Sequence, residues 1–103
     1  MEVKIEIKGK EYYLSLTRRD FALLEIDGLP LSKAEEMPLS FNDALLERAL
    51  LSGNEDLSKE EAELLVEEIY EEYDMTSVTK VLTKMTNSVF SSEGSTKKVL
   101  TIN

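Results

Sequence analysis

Residues 2–16 read EVKIEIKGKEYYLSL, and this stretch decides the fold. From Glu2 to Lys8 polar and apolar residues alternate, which is typical of a strand with one buried face. Gly9-Lys10 follows as a two-residue turn with glycine in the first central position, and residues 11–16 return as a second strand. The pattern predicts an N-terminal β-hairpin whose two strands share one apolar face, made by Val3, Ile5, Ile7, Tyr12, Leu14 and Leu16.

Helical signals begin directly after the hairpin. Thr17 is a favourable N-cap with the acidic Asp20 three residues later, and the two predict a helix that continues to about Ile26. Asp27-Gly28 ends this helix, because glycine readily adopts the left-handed conformation that often follows a helical segment.

A leucine-rich helix comes next. Residues 32–36 predict one helical turn, which Pro38 stops. Ser40, with Asp43 three residues later, predicts the start of a longer helix that closes at Gly53. Its apolar stripe consists of Phe41, Ala44, Leu45, Ala49 and either Leu50 or Leu51.

Two further helices complete the pattern. Ser58 and Glu61 form a capping box, and the helix that they open extends to about Tyr73. After a break, Thr76 or Ser77 caps the last helix. Each of the two helices has a one-sided apolar stripe: Ala62, Leu65, Val66, Ile69, Tyr70 and Tyr73 in the first, and Val78, Val81, Leu82, Met85, Val89 and Phe90 in the second.

These elements predict one α+β domain over residues 1–91, an N-terminal β-hairpin followed by a bundle of three to five helices. The Ser/Gly-rich stretch 91–95 interrupts the helical pattern. Residues 92–103 are therefore predicted to be a flexible C-terminal tail or a short strand.

The composition argues against a catalytic centre. The 103 residues include neither cysteine nor histidine, which excludes thiol nucleophiles, imidazole bases, disulfides and Cys/His zinc sites. The four glycines form no phosphate-binding loop, and the acids form no calcium-loop pattern. We expect a non-enzyme without catalytic residues, cofactor, metal or small-molecule substrate. A small enzyme is the third-ranked hypothesis.

Charge is distributed unevenly along the chain. The net charge is −9, and residues 55–74 hold ten acids and one base, whereas residues 75–103 hold one acid and four bases. An acidic chain repels phosphate backbones, so we expect no nucleic-acid partner. The helix over residues 60–74 has two interpretations. It is a solvated face that keeps the domain soluble, or it is an acidic DNA-mimic surface of an inhibitor or regulator that binds a basic protein.

The location is expected to be the cytoplasm. Met1 to Lys10 alternates charged and apolar residues and so does not resemble a signal peptide. No stretch approaches the roughly 20 apolar residues of a membrane helix, so no membrane association is expected.

The hairpin and helices together carry more apolar surface than the packing of one small pair of layers would bury. Leu46, Leu51 and Leu64 lie off the main stripes and add to this excess. Exposed apolar patches usually mark association sites, so we predict binding to a protein partner and formation of a homo-oligomer. Seven residues of the last two helices would serve as core or as partner contacts: Leu65, Ile69, Tyr70, Val78, Leu82, Met85 and Phe90.

The order of elements resembles the tail assembly chaperones of long-tailed bacteriophages and prophages of Gram-positive bacteria. The resemblance spans about residues 4–90. It lies in the hairpin around 9–14 (GKEYYL), the helix after Thr17-Arg18-Arg19, the segment 42–51 (NDALLERALL) that ends at Gly53, and the phrase 57–65 (LSKEEAELL).

The resemblance implies a specific role. Members of this family coat the tape measure protein and keep its long apolar helix soluble during tail morphogenesis. Many have a longer form made by ribosomal frameshifting, and several self-associate. The family has no catalytic residues, so the resemblance assigns none to this chain.

Overall fold

The computed structural model describes residues 1–91 and 98–102, and its architecture is α+β. An antiparallel two-stranded sheet precedes four α-helices in the described residues, as the sequence predicted. The elements are β1 (Glu2–Ile7), β2 (Lys10–Ser15), α1 (Arg18–Ile26), a 3-10 turn (Leu31–Lys33), α2 (Pro38–Gly53), α3 (Lys59–Glu72) and α4 (Met75–Phe90).

The hairpin turn lies one residue earlier than predicted. Ile7 pairs with Lys10, so the turn residues are Lys8 and Gly9, and both have positive φ angles of 50° and 79°. Two left-handed residues are the signature of a type I′ turn, whose twist matches that of the strands. The predicted turn at Gly9-Lys10 was wrong. The alternation of residues does not distinguish the two turns, because a shift of the pairing by two residues leaves every side chain on the same face.

Two helix starts were predicted correctly. Thr17 and Ser58 occupy the N-cap positions of α1 and α3, and in each helix the acidic residue at the third position accepts the N–H of the N-cap residue. In α3 the Ser58 N–H donates to Glu61 at 3.0 Å and the Glu61 N–H donates to Ser58 at 3.1 Å.

The other two starts were predicted too late. Helix α2 begins at Pro38, because proline has no N–H to lose in the first helical position and its φ is already helical. Helix α4 is capped by Asp74, whose carboxylate accepts the Ser77 N–H at 2.9 Å. The predicted caps Ser40, Thr76 and Ser77 therefore lie inside the helices.

Helix α2 lies at the centre of the fold. It packs against β2, α1, α3 and α4, so more than one of its faces is buried. Leu46 is fully buried for this reason, which corrects its interpretation as surplus apolar surface. Leu51 is half-buried, and Leu64 is 67 % exposed.

Helix α1 is joined to α2 by a buried carboxylate. Asp20 is 1 % exposed and accepts hydrogen bonds from Arg48 at 2.9 and 3.1 Å, from the Ser52 hydroxyl at 2.6 Å, and from the Thr17 N–H and hydroxyl. Burial alone would raise the pKa of Asp20, but the bonds from Ser52, Thr17 and Arg48 outweigh it and hold the pKa below its ordinary value.

The tail prediction falls largely outside the described residues, since 92–97 and 103 do not belong to them. Residues 98–102 adopt neither helix nor strand, and Val99, Leu100 and Ile102 are 86, 97 and 99 % exposed. In the described part of the chain, no helix combines the length and the apolar character needed to cross a bilayer.

A candidate protein-binding groove

The outer edge of β2 is bonded at Tyr13 and packed directly against the end of α2. The Asn54 side chain accepts the Tyr13 N–H at 3.1 Å and donates to the Tyr13 carbonyl at 2.8 Å and to the Leu50 carbonyl at 2.8 Å. Gly53 lies so close to this edge that an added Cβ would overlap the Tyr13 carbonyl. The backbone groups of Tyr13 that point away from β1 are thus satisfied by a side chain.

Within the described residues, the outer edge of β1 is likewise bonded at one residue, but no helix packs closely along it. The Tyr73 hydroxyl accepts the Glu6 N–H at 3.3 Å and donates to the Glu6 carbonyl at 2.9 Å. In an antiparallel pair every second residue turns its N–H and carbonyl outward, so Lys4 presents the next outward pair. Among the described residues, no group bonds to the outward N–H or carbonyl of Lys4.

A groove runs between this open edge and α4. It encloses about 230 Å³ and is lined by Val3, Lys4, Ile5, Leu14, Leu46, Ile69, Tyr73, Ser77, Val78, Val81 and Leu82. The lining is apolar apart from Lys4, the Ser77 hydroxyl and the Tyr73 hydroxyl. The Lys4 side chain is on the opposite face of the hairpin, where it meets Glu11 at 3.7 Å, so Lys4 contributes its backbone.

The groove is open because α4 packs mainly on α2 and stands away from β1. Val3, Ile5 and Val81 are consequently only half-buried, although each belongs to an apolar stripe. The volume of the groove is below the roughly 300–1,000 Å³ of pockets that hold drug-sized ligands. A site of this size and lining suits a few apolar side chains of another polypeptide.

The structure divides the seven residues that the sequence assigned to core or contact. Leu65, Ile69, Val78, Leu82 and Met85 are at most 8 % exposed and belong to the core, which is one of the two roles that the sequence left open. Ile69, Val78 and Leu82 nevertheless form the base of the groove.

The other two residues lie outside the groove. Phe90 is 43 % exposed, and its ring meets Phe21 edge to face at 4.9 Å with the Arg18 guanidinium 5.7 Å from its centre. Tyr70 is half-buried, and burial together with the charge of Asp43 raises the pKa of its phenol. A contact role for Phe90 and Tyr70 stays a prediction.

The residues that open the groove were missed as site residues. Val3, Ile5, Val81 and Tyr73 were each assigned to an apolar stripe, but none was selected as a contact. Their exposure depends on how far α4 stands from β1, which is a property of helix placement. The one available signal is that Val3 and Ile5 alternate with charged residues in a strand that has no partner on its far side.

A second surface is acidic. Asp43, Glu47, Glu63 and Glu67 line a shallow depression between α2 and α3, and burial together with the charge of Glu67 raises the pKa of Asp43. Lys59 bonds Glu47 at 2.9 Å and Glu63 at 3.0 Å, which offsets part of this charge. Within residues 1–91 and 98–102, no three His, Cys, Asp or Glu side chains are grouped so that they could hold a metal ion.

Comparison with known proteins adds no relative to this description. No family model matches the chain, and neither a curated protein nor a solved structure matches it.

Proposed function

We propose that this chain is a non-enzymatic protein-binding module whose groove between β1 and α4 holds apolar side chains of a partner. One observation carries the proposal: an apolar depression that residues 1–91 and 98–102 leave uncovered lies beside a strand edge whose Lys4 backbone groups have no partner among those residues. Uncovered apolar surface of this kind marks association sites. Apolar side chains of the partner would be buried against the apolar lining of the groove and so removed from water.

The finer proposal takes the partner from the resemblance to phage tail assembly chaperones. The partner is then a tape measure protein, and the chain acts in the cytoplasm of the bacterial host during tail morphogenesis. A net charge of −9 fits this task, because it keeps a complex with an apolar client in solution. Genomic context tests this directly: a slippery heptamer near the stop codon, followed by a gene for a very long coiled-coil protein, is expected.

The decisive experiment co-expresses this chain with the coiled-coil protein encoded beside it and measures how much of that protein stays soluble. Val81→Asp places a charge in the groove at a half-buried position. We expect it to abolish solubilisation, because burial of an unpaired carboxylate against apolar side chains is costly. Ser88→Asp makes the same charge change at an exposed site on the same helix and should leave solubilisation intact. Equal capture by wild type and Val81→Asp would refute the groove.

The acidic surface supports a second candidate, an inhibitor or regulator that binds a basic protein as a DNA mimic. Exposed carboxylates along α3, together with those of the α2–α3 depression, favour it. Ionic strength separates the two functions. Binding through carboxylates weakens steeply as salt rises, whereas binding through the groove persists.

A further inference from the structure

We propose that the groove also receives residues 98–102 of a second copy, which add to the outer edge of β1 as a third strand and link copies head to tail. The inference rests on the proposed function, since it uses the same groove as an apolar acceptor. It deepens that function, because a copy whose groove is filled this way must release the segment before it binds a client.

The acceptor is prepared for a strand. The outward N–H and carbonyl of Lys4 are unpaired among the described residues, whereas those of Glu6 are occupied by Tyr73. A strand that pairs at Lys4 therefore ends at the Tyr73 hydroxyl. Its side chains on the side of Val3 and Ile5 enter the groove, because neighbouring strands share the same alternation.

The donor has the matching pattern. Residues 98–102 read KVLTI, and three of the five are large apolar residues that are 86–99 % exposed. In an extended segment Leu100 and Ile102 point to one side, and Val99 and Thr101 point to the other. Leu100 and Ile102 are thus the pair that would enter the groove, while Thr101 faces away.

A second copy, rather than the same chain, is the occupant that the structure favours. In the described part of one chain, both the donor and the acceptor are uncovered, and this is the condition under which a head-to-tail contact propagates. Charge also favours contact between copies that otherwise repel at −9 each. We place the donor antiparallel to β1 with Thr101 opposite Lys4. Lys98 then lies towards the end of β1 that meets Glu72 and Tyr73, beside the acidic end of α3.

The test uses the 103-residue chain and sedimentation over a concentration series. Wild type should form growing assemblies, because each copy keeps one free donor and one free acceptor. Leu100→Asp combined with Ile102→Asp, and separately Val81→Asp, should weaken self-association at least about tenfold. Thr101→Asp and Ser88→Asp are the matched controls and should assemble like wild type.

Mixing tests whether one donor and one acceptor suffice, and growth of the wild type beyond a dimer separates the head-to-tail geometry from a symmetric exchange of tails. The donor-defective double variant keeps an intact groove, and Val81→Asp keeps an intact tail. An equimolar mixture of the two should form a heterodimer that stops growing, because one donor and one acceptor remain functional. A mixture that stays monomeric, or a wild type that is monomeric at high concentration because its own tail fills its groove, would overturn the proposal.

The client assay tells the two proposals apart. The donor-defective variant should solubilise the coiled-coil client at least as well as wild type, whereas Val81→Asp should fail in both assays. If wild type is monomeric but still needs Val81 for client capture, the head-to-tail contact is wrong and the proposed function stands. If the copies assemble as described but no client is captured, the reverse holds.

Discussion

The two outer edges of the hairpin differ in how the rest of the protein packs against them. At the β2 edge, Asn54 bonds both outward groups of Tyr13, and Gly53 brings α2 into direct contact with the strand. At the β1 edge, Tyr73 bonds the outward groups of Glu6, but an apolar groove rather than a packed helix borders Lys4. Unprotected edges invite pairing with another chain, and proteins usually block them. On the function proposed above, the β2 side serves stability and the β1 side serves association.

The largest expected effect comes from placing a side-chain atom in the close contact between α2 and the β2 edge. Gly53→Ala should destabilise the protein by about 3 kcal/mol, because the new Cβ meets a backbone carbonyl that cannot rotate away. The small gain in helix propensity does not offset this. Urea denaturation measures the change. A Gly53→Ala variant as stable as wild type would show that the β2 edge is not tightly closed.

The next effect concerns the carboxylate that holds α1 on the same side. Asp20→Asn should cost about 2–3 kcal/mol at neutral pH, because Arg48 and Ser52 lose a charged acceptor in a buried site. Because folding lowers the pKa of Asp20, its stabilising contribution is present above the unfolded pKa of about 3.8 and is lost as the pH falls through the folded value.

The same variant should therefore show a flatter acid dependence. Urea denaturation at about pH 7 and about pH 3 should give a smaller difference for Asp20→Asn than for wild type. Arg48→Lys offers a matched comparison, since it keeps the charge but loses the paired donors of the guanidinium. An unchanged slope with pH in Asp20→Asn would place the acid sensitivity elsewhere.

The third effect removes the side chain that covers the β2 edge. Asn54→Ala should destabilise the protein by about 1–2 kcal/mol, because Tyr13 loses both partners and the Leu50 carbonyl loses one. It should also give β2 an open edge like that of β1. Sedimentation should then detect added self-association that Val81→Asp does not suppress, and its absence would mean that α2 shields the edge by itself.

Local and long-range features of the fold differ in how well the sequence predicts them. The hairpin, the caps at Thr17 and Ser58 and most of the core follow from alternation and capping chemistry, which are local. Asp20 was predicted as a cap residue, but its bonds to Arg48 and Ser52 join residues about thirty positions apart, which no local pattern reports. Leu46 was misjudged for the same reason, because only the central position of α2 buries a second face.

The candidate site was the least predictable part. A stripe identifies which side chains are apolar, but it does not say whether a neighbouring element covers them. Five of the seven selected residues are core, and the half-buried Val3, Ile5 and Val81 define the opening. Whether a residue such as Val81 is covered depends on the distance between α4 and β1, and several distant contacts determine that distance together.

Tyr73→Phe should have the smallest effect on stability, but it tests the contrast between the β1 and β2 edges most directly. Tyr73→Phe removes the hydroxyl that covers Glu6 and keeps the ring that lines the groove. The site is partly exposed and water replaces the lost bonds, so we expect a loss of only about 0.5–1 kcal/mol, measured by urea denaturation. The open edge of β1 then extends from Lys4 to Glu6, and self-association measured by sedimentation should tighten severalfold. A loss of stability as large as that of Asn54→Ala, with no gain in association, would mean that both edges are closed for stability and that the contrast between them is false.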